Sequence, residues 1–301
     1  MSTPELAFAS PRKLPRAHTL KGRVVVLDIA FAADGLGKGF RKVTGRFLDE
    51  LGPRLARWVD HHDHDLHDTY RDDPRFVLHT KAEHGACPEI ITPDMVAETG
   101  PVDTILCHFD LDGLYSAAKW ILGGVEPYPG ADDDARAVDT RIGEMSPTAR
   151  LIDQALRCKY NDDTVKLRIV RYLVTGQKPG LERDTIERAA AEFDGLVAGA
   201  KSIAANYRCA DDLAIVEVPP DAPSFDKTEL LLLGQTLATV AVVIDGRNVS
   251  IAAGFDSGLN FVELLDLGGG MPTRVNVPRK HLDGALARIK RRLRAGLPSR
   301  A

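Results

Sequence analysis

The stretch GRVVVLDI, residues 22–29, decides the fold, because a valine run that ends in one acid, Asp28, is typical of a strand buried in a parallel sheet. Two further runs end in a similar way. RLARWVD, residues 54–60, leads into two histidines, and DTILCH, residues 103–108, leads into two aspartates. Ligands of open parallel sheets bind beyond the carboxyl ends of the strands. The sequence therefore predicts that these acids and histidines converge at one edge of a sheet.

Helix-like segments alternate with these strands. Apolar residues recur at helical spacing in residues 36–51 and 114–122, and residues 146–207 are nearly all helical in pattern. This alternation predicts an α/β fold with a mostly parallel, doubly wound sheet in residues 1–180, followed by a helical connector in residues 181–207.

A second, smaller α+β domain is predicted for residues 208–301. Its expected strands are residues 213–218, 239–244 and 249–253, of which the last two form a hairpin around Asp245-Gly246. Its expected helices are residues 227–237, 259–267 and 279–294.

Composition and charge exclude several classes of protein. The 301 residues carry a net charge of -4, which does not suit a protein that coats nucleic acid, although residues 278–301 alone carry +7. The four cysteines lack C-x-x-C spacing, so neither a zinc ribbon nor a disulfide framework is indicated. The longest apolar run, residues 230–244, is interrupted and too short to span a bilayer, and residues 1–16 have no apolar core. We expect a cytoplasmic protein that does not bind membranes.

The segment HFDLDG places His108, Asp110 and Asp112 on alternate residues, followed by Gly113. In an extended chain these three side chains would project to one side, and the glycine would allow a sharp turn into a helix. Oxygen and nitrogen ligands in this arrangement suit a hard or borderline divalent cation.

Together, these motifs resemble those of the DHH phosphoesterases. The resemblance rests on Asp60-His61-His62 after an apolar strand, on the segment HFDLDG at residues 108–113, and on the lone Asp28 at the end of another strand. The family includes single-strand-specific exonucleases, hydrolases of nanoRNA and of cyclic dinucleotides, and the related family II inorganic pyrophosphatases. It implies two domains and two manganese ions near the cleft, with Mg²⁺ or Co²⁺ as alternatives.

The resemblance also implies a role for each matching residue. His108 and Asp110 would bind one cation, Asp112 and His61 the other, and Asp28 both. For the catalytic pair, Asp60 would accept a hydrogen bond from His61, and His62 would face the substrate phosphate. A fourth carboxylate is expected on the second cation. The choice is Asp139, with Asp153, Asp162 and Asp163 as alternatives.

In the second domain, a glycine-rich segment resembles the substrate-binding loop of the family. Gly268, Gly269 and Gly270 would let the backbone approach a ligand closely, and Arg274 would contact a phosphate; the alternatives are a flexible turn and a surface arginine. Two departures from the family stand out. The motif order is circularly permuted, since Asp28 and the DHH strand precede His108, and Met271 follows the glycines where family nucleases usually carry histidine.

The resemblance implies a metal-dependent phosphoesterase that acts on a small nucleotide or a short single-stranded oligonucleotide through a hydroxide bridging two metal ions. Two alternatives remain open. One is a nucleotide-binding or sensor relative without hydrolytic activity, and the other is a pyrophosphatase-like enzyme. We expect no specificity for duplex DNA, and a homodimer is compatible with the sequence.

Overall fold

The structure is a computed structural model that describes residues 3–296. It divides into two compact units, of which the first ends at Ala191 and the second begins at Glu192. This division lies within the connector predicted for residues 181–207.

The first unit is built on a parallel sheet of five strands. The five strands are β1 (Glu5–Ala9), β2 (Val24–Leu27), β3 (Leu55–Asp60), β5 (Phe76–Leu78) and β6 (Thr104–His108). Their order across the sheet is β1-β6-β2-β3-β5, and each neighbouring pair is parallel. A two-residue strand, β4 (Asp63–His64), follows β3.

Helices pack on both faces of this sheet because successive side chains of the strands point to opposite sides. In β2, Val25 and Leu27 pack on one face with the helix that follows β6, whereas Val24 and Val26 pack on the other face with Phe47. The helices are α1 (Arg46–Leu51), α2 (His67–Tyr70), α3 (Pro93–Thr99), α4 (Leu111–Ile121), α5 (Ala131–Thr140), α6 (Pro147–Lys159), α7 (Asp163–Val174) and α8 (Leu181–Ala190).

The second unit is built on a mixed sheet of five strands. They are β7 (Arg208–Ala210), β8 (Leu213–Glu217), β9 (Val240–Asp245), β10 (Asn248–Ala253) and β12 (Arg274–Pro278), and the two-residue β11 (Gly269–Gly270) precedes the last. Their order across the sheet is β12-β10-β9-β8-β7, and among these described strands only the β8–β9 pair is parallel. The helices are α9 (Phe193–Ala204), α10 (Lys227–Gln235), α11 (Phe261–Leu265) and α12 (Leu282–Arg294).

The structure confirms the predicted fold class: a parallel sheet covered on both faces by helices, followed by a smaller α+β unit. Two local predictions are corrected in detail. The helix expected over residues 36–51 is present from residue 39 to residue 51, but it contains a π-helical turn at Arg41–Gly45 before the short α1, and Asp34–Leu36 is a separate 3-10 turn. Glycine weakens a helix, and this segment contains four within residues 35–45. The turn of the β9–β10 hairpin is Gly246-Arg247, because Asp245 still pairs with Asn248.

None of the helices in residues 3–296 combines the length and the hydropathy that crossing a membrane requires.

Candidate metal centre

The central strand of the first sheet and its two neighbours deliver the predicted side chains to one edge. β2 lies between β3 and β6, and the three strands run parallel. Asp28 follows β2, the Asp60-His61-His62 segment spans the end of β3, and His108 ends β6. Because parallel strands end at the same edge of a sheet, side chains distant in sequence become neighbours.

Asp28 stands at the centre of this edge in a left-handed backbone conformation, with φ of 57°. Aspartate is one of the few residues that tolerates this region. The backbone N–H of Asp28 still donates to Val59 O at 2.9 Å, so the turn is tied to the neighbouring strand. The conformation ends β2 abruptly and leaves the carboxylate buried, with 1% of the residue exposed.

Side chains that could hold a metal ion form three overlapping groups. Within each, one donor atom per residue lies within 4.8 Å of the others. The first group is Asp28, His108 and Asp110, and the second is His61, Asp112 and Asp139. The third, Asp28, His61 and His62, shares Asp28 with the first group and His61 with the second.

In the first group, His108 Nδ1 lies 2.7 Å from Asp110 Oδ2 and 3.7 Å from Asp28 Oδ2. In the second group, His61 Nε2 lies 3.1 Å from Asp112 Oδ2 and 3.9 Å from Asp139 Oδ2. His61 Nε2 also lies 3.3 Å from Asp28 Oδ1, which connects the two groups.

The predicted partner of Asp60 was wrong. Asp60 Oδ1 lies 2.8 Å from Nδ1 of His62, whereas Nδ1 of His61 is bonded to the carbonyl oxygen of His84 at 2.9 Å. The two histidines are adjacent, and their rings are inclined by 78° to each other. The Asp60 carboxylate therefore forms a hydrogen bond with the ring of His62, and the His84 carbonyl oxygen forms one with the ring of His61. In both cases the hydrogen bond fixes the ring, as is usual for histidines near a metal.

The segment at residues 108–113 also differs from its predicted conformation. His108 ends β6, Asp110 precedes α4, and Asp112 lies in the first turn of that helix, so the three do not share one extended stretch. Asp110 Oδ1 accepts a hydrogen bond from Gly113 N at 3.1 Å and thereby caps α4. A Cβ at Gly113 would lie 2.4 Å from the carbonyl oxygen of His108. The glycine is therefore required for close packing rather than for an unusual backbone angle.

Among the four candidates for the remaining carboxylate, Asp139 is the one that the structure places beside His61. It lies near the end of α5, with 16% of its side chain exposed. The alternatives are engaged elsewhere: Asp153 pairs with Arg157, Asp162 caps α7, and Asp163 pairs with Lys166.

The loop between β5 and the 3-10 turn at Cys87–Ile90 contributes contacts to the site that the sequence patterns did not predict. This loop supplies the His84 carbonyl to His61, the Cys87 backbone N–H to Asp112 at 3.0 Å, and the side chain of Lys81 to His61 Nε2 at 2.8 Å. Lys81 follows the short β5 by three residues, at the same edge of the sheet. Recognition of Phe76–Leu78 as a strand would have drawn attention to it.

Charge at this edge shifts the protonation of three acids. Burial raises the pKa of Asp28, and the carboxylates of Asp112 and Asp110 raise it further. Burial alone would also raise the pKa of Asp110, but the neighbouring His108 lowers it. Burial opposes ionisation of Asp60 as well, yet His62 lowers the pKa of that carboxyl to about 2. Burial is therefore the main cause of the raised pKa of Asp28, whereas neighbouring histidines cause the lowered pKa values of Asp110 and Asp60.

The residues of the first group fit a divalent cation. Both carboxylate oxygens of Asp28 are buried and accept no well-formed hydrogen bond among residues 3–296, although His61 Nε2 and His108 Nδ1 lie 3.3 and 3.7 Å away. His108 Nδ1 is also buried, and its 2.7 Å contact with Asp110 Oδ2 lacks hydrogen-bond geometry. Such atoms are costly to bury unless something pairs with them. Carboxylate oxygen and imidazole nitrogen are the donors that Mn²⁺, Mg²⁺ and Zn²⁺ accept. This buried cluster of acids and histidines could therefore hold divalent metal ions.

The residues that the sequence assigned to substrate binding lie in the second unit. Gly268, Gly269 and Gly270 all have positive φ, so this segment adopts backbone angles that favour glycine. Arg274 Nη1 donates to Thr228 Oγ1 at 3.0 Å. Their role towards a substrate stays a prediction.

A scan of protein-family models and a search of curated proteins find no match to this chain. Two solved structures resemble it in fold at low scores. An exopolyphosphatase-related protein from Bacteroides fragilis has a TM-score of 0.44 and 15% sequence identity, over 90% of this chain and 73% of that chain. PggH, a pGpG-specific phosphodiesterase from Vibrio cholerae, has a TM-score of 0.42 and 11% identity, over 91% of this chain and 99% of that chain. At such scores, the function must be argued from the site itself.

The buried, unpartnered carboxylate predicts an unusual effect on stability. We expect Asp28→Asn to raise the free energy of unfolding in EDTA by about 1–2 kcal/mol, because it removes a buried charge that lacks a donor. The matched control, Asp60→Asn, should lower it by about 1.5–3 kcal/mol, because Asp60 is bonded to His62. Urea unfolding followed by circular dichroism measures both. Equal losses for the two variants would show that Asp28 is already satisfied in the metal-free chain.

Cation binding should stabilise the folded chain. At a Mn²⁺ concentration 100 times the dissociation constant, the free energy of unfolding should rise by about 2.7 kcal/mol. Asp28→Asn should lose this increment, and Asp163→Asn, an exposed acid paired with Lys166, should retain it. Identical unfolding curves of the unaltered chain in Mn²⁺ and in EDTA would contradict a cation site.

Proposed function

We propose that this chain is a divalent-cation-dependent phosphoesterase of the DHH type, with Mn²⁺ as the preferred ion. One observation carries the proposal: Asp28, His61, His108, Asp110 and Asp112, which lie on three strand ends and one helix, come together in overlapping groups at one edge of the first sheet. These are the residues that the DHH resemblance assigns to cation binding. The agreement of motif, residue type and position supports the family although the motif order is permuted.

The chain's own residues would hold and orient the cation. Asp28, His108 and Asp110 supply the donors whose hydrogen-bonding capacity the protein leaves unused or only partly used. A divalent cation bound there supplies Lewis-acid chemistry, drawing charge from phosphoryl oxygens and favouring attack by water near neutral pH. The backbone ties of Asp28 to β3 and of Asp110 to α4 would keep these ligands in place.

His62 is the residue we assign to the substrate. Its Nδ1 is held by Asp60 at 2.8 Å, and 16% of its side chain is exposed, whereas His61 is fully buried. In the neutral ring, the bond to Asp60 places the proton on Nδ1 and leaves a lone pair on Nε2. When the ring is protonated, Nε2 carries a proton, and His62 can then donate a hydrogen bond to a phosphoryl oxygen or pass that proton to the leaving oxygen, returning to the neutral ring.

The proposed substrate is a small nucleotide or a short single-stranded oligonucleotide. A net charge of -4 disfavours extended contacts with duplex phosphates. The glycine-rich segment at residues 268–270 would bring backbone N–H groups close to a phosphate or a base.

A second candidate is a relative that binds a nucleotide without hydrolysing it. Met271 favours this alternative, because family nucleases usually carry a histidine after the glycines. Calorimetry would then show binding of a nucleotide that chromatography recovers unchanged after long incubation with Mn²⁺.

We expect Asp110→Asn to reduce Mn²⁺-dependent turnover by at least about 100-fold, because it weakens a direct ligand while asparagine still caps α4. The matched control is Asp162→Asn, which makes the same change at the cap of α7 and should retain activity. The assay measures release of phosphate or nucleotide from dinucleotides, cyclic dinucleotides, nucleoside phosphates and pyrophosphate. Absence of turnover on the whole panel, or equal rates for both variants, would count against the proposal.

A further inference from the structure

Lys81 is a buried lysine among the proposed metal ligands. Only 3% of the residue is exposed, and its Nζ contacts two members of the second group, His61 and Asp139. Lysine is almost never buried without a partner. The position of this nitrogen therefore bears on what the second group can bind.

The loop that carries Lys81 is fixed by its own hydrogen bonds. His79 N donates to Asp60 O at 2.9 Å, which ties the start of the loop to β3. The backbone N–H groups of Glu83 and His84 both donate to Thr80 O at 3.1 Å, and the Glu83 carboxylate accepts from Thr80 N at 2.8 Å. The backbone on both sides of Lys81 is thus held in place, which limits how far its side chain can withdraw.

Lys81 Nζ uses the same donor atoms that a cation in the second group would need. His61 Nδ1 faces the carbonyl oxygen of His84 and therefore carries a proton, so that in the neutral ring Nε2 has the lone pair. Lys81 Nζ lies 2.8 Å from that Nε2 and also makes a close ion pair with Asp139 Oδ2. An ammonium group only donates, so both acceptors are satisfied by Lys81.

The two groups differ in this respect. In the first group, both oxygens of Asp28 are buried and accept no well-formed hydrogen bond among residues 3–296, and His108 Nδ1 has only the 2.7 Å ion-pair contact with Asp110 Oδ2. In the second group, His61 and Asp139 are bonded to Lys81, and Asp112 accepts from Cys87 N at 3.0 Å. The unmet demand for a cation is therefore concentrated in the first group.

We infer that Lys81 Nζ takes the place of the second divalent cation, so that the site holds one exchangeable ion in the first group beside a covalently attached ammonium. This inference rests on the cation site of the proposed function but not on the reaction. It replaces the two ions that the DHH resemblance implies by one ion and Lys81. It also gives Lys81 a positioning role, in which it holds His61 and Asp139 in place of a metal.

The test measures how many Mn²⁺ ions bind to each chain, and whether they are coupled. We expect one ion per chain in the unaltered protein by equilibrium dialysis with elemental analysis, with the resolved hyperfine spectrum of an isolated Mn²⁺ by electron paramagnetic resonance. Lys81→Met has a similar length but no charge and no donor. It should bind two ions per chain and give the broad signal of an exchange-coupled pair.

Two control variants separate the position of the ammonium from a general loss of a buried lysine. Lys119 is also buried and paired, donating to Asp132 Oδ2 at 2.5 Å and to Pro88 O at 2.8 Å, but it contacts no member of either group among the described residues. Lys119→Met should still bind one ion. Lys81→Arg keeps the positive charge and should also bind one ion.

Each outcome decides the inference. Two ions per chain in the unaltered protein, no bound ion, or a single ion in a folded Lys81→Met would overturn it. If Lys81→Met does not fold, Lys81→Gln provides the same measurement, and the ion count of the unaltered protein still distinguishes one ion from two. Failure of the proposed function would give a different result. A chain that binds one ion but hydrolyses no substrate of the panel would contradict the proposed activity and would still support the inference about Lys81.

Discussion

The edge of the first sheet concentrates negative charge, and the rest of the site depends on how that charge is balanced. Asp28, Asp60, Asp110, Asp112 and Asp139 lie around three histidines, His61, His62 and His108. Bringing several carboxylates together in a buried place costs free energy unless positive charge or hydrogen-bond donors accompany them. Four of these acids have a compensating group: Asp60 has His62, Asp110 has His108, Asp139 has Lys81, and Asp112 has the backbone N–H of Cys87. The fifth is Asp28, whose oxygens accept no well-formed hydrogen bond within residues 3–296.

The local patterns in the sequence were sufficient to predict the central strands and the fold class. β2, β3 and β6 are apolar runs buried on both faces, so composition alone identifies them. β1 and β5 were not predicted, because they are the two edge strands of the sheet and carry weaker patterns. β5 has only three residues, Phe76–Leu78, within a polar segment, and its strand character depends on pairing with β3. Such pairing is a property of the tertiary fold, which spacing along the chain does not encode.

The site shows the same division between what the sequence encodes and what the fold decides. Strand-end acids and histidines are visible as motifs, and the structure brings Asp28, His61 and His108 together across 80 residues of sequence. Asp60 contacts one of two adjacent histidines, and the orientation of their rings decides which one. The sequence does not indicate that orientation. The contribution of His84 is a backbone carbonyl, so its side-chain identity gives no signal. Lys81 lies in a loop whose path is set by hydrogen bonds to β3 and within the loop itself.

A lysine in place of a metal ion changes the physics of the site, because its charge cannot dissociate. A divalent ion binds from solution and is removed by a chelator. The Lys81 ammonium belongs to a loop that is hydrogen-bonded to Asp60 O of β3 and, within the loop, to Thr80 O. The ammonium also carries half the charge, so the second group keeps more of its negative potential. That potential strengthens binding of a cation in the neighbouring first group, since Asp28 lies 3.3 Å from His61 Nε2 and belongs to both environments. The buried lysine thus positions His61 and Asp139 while leaving Asp28 to the exchangeable ion.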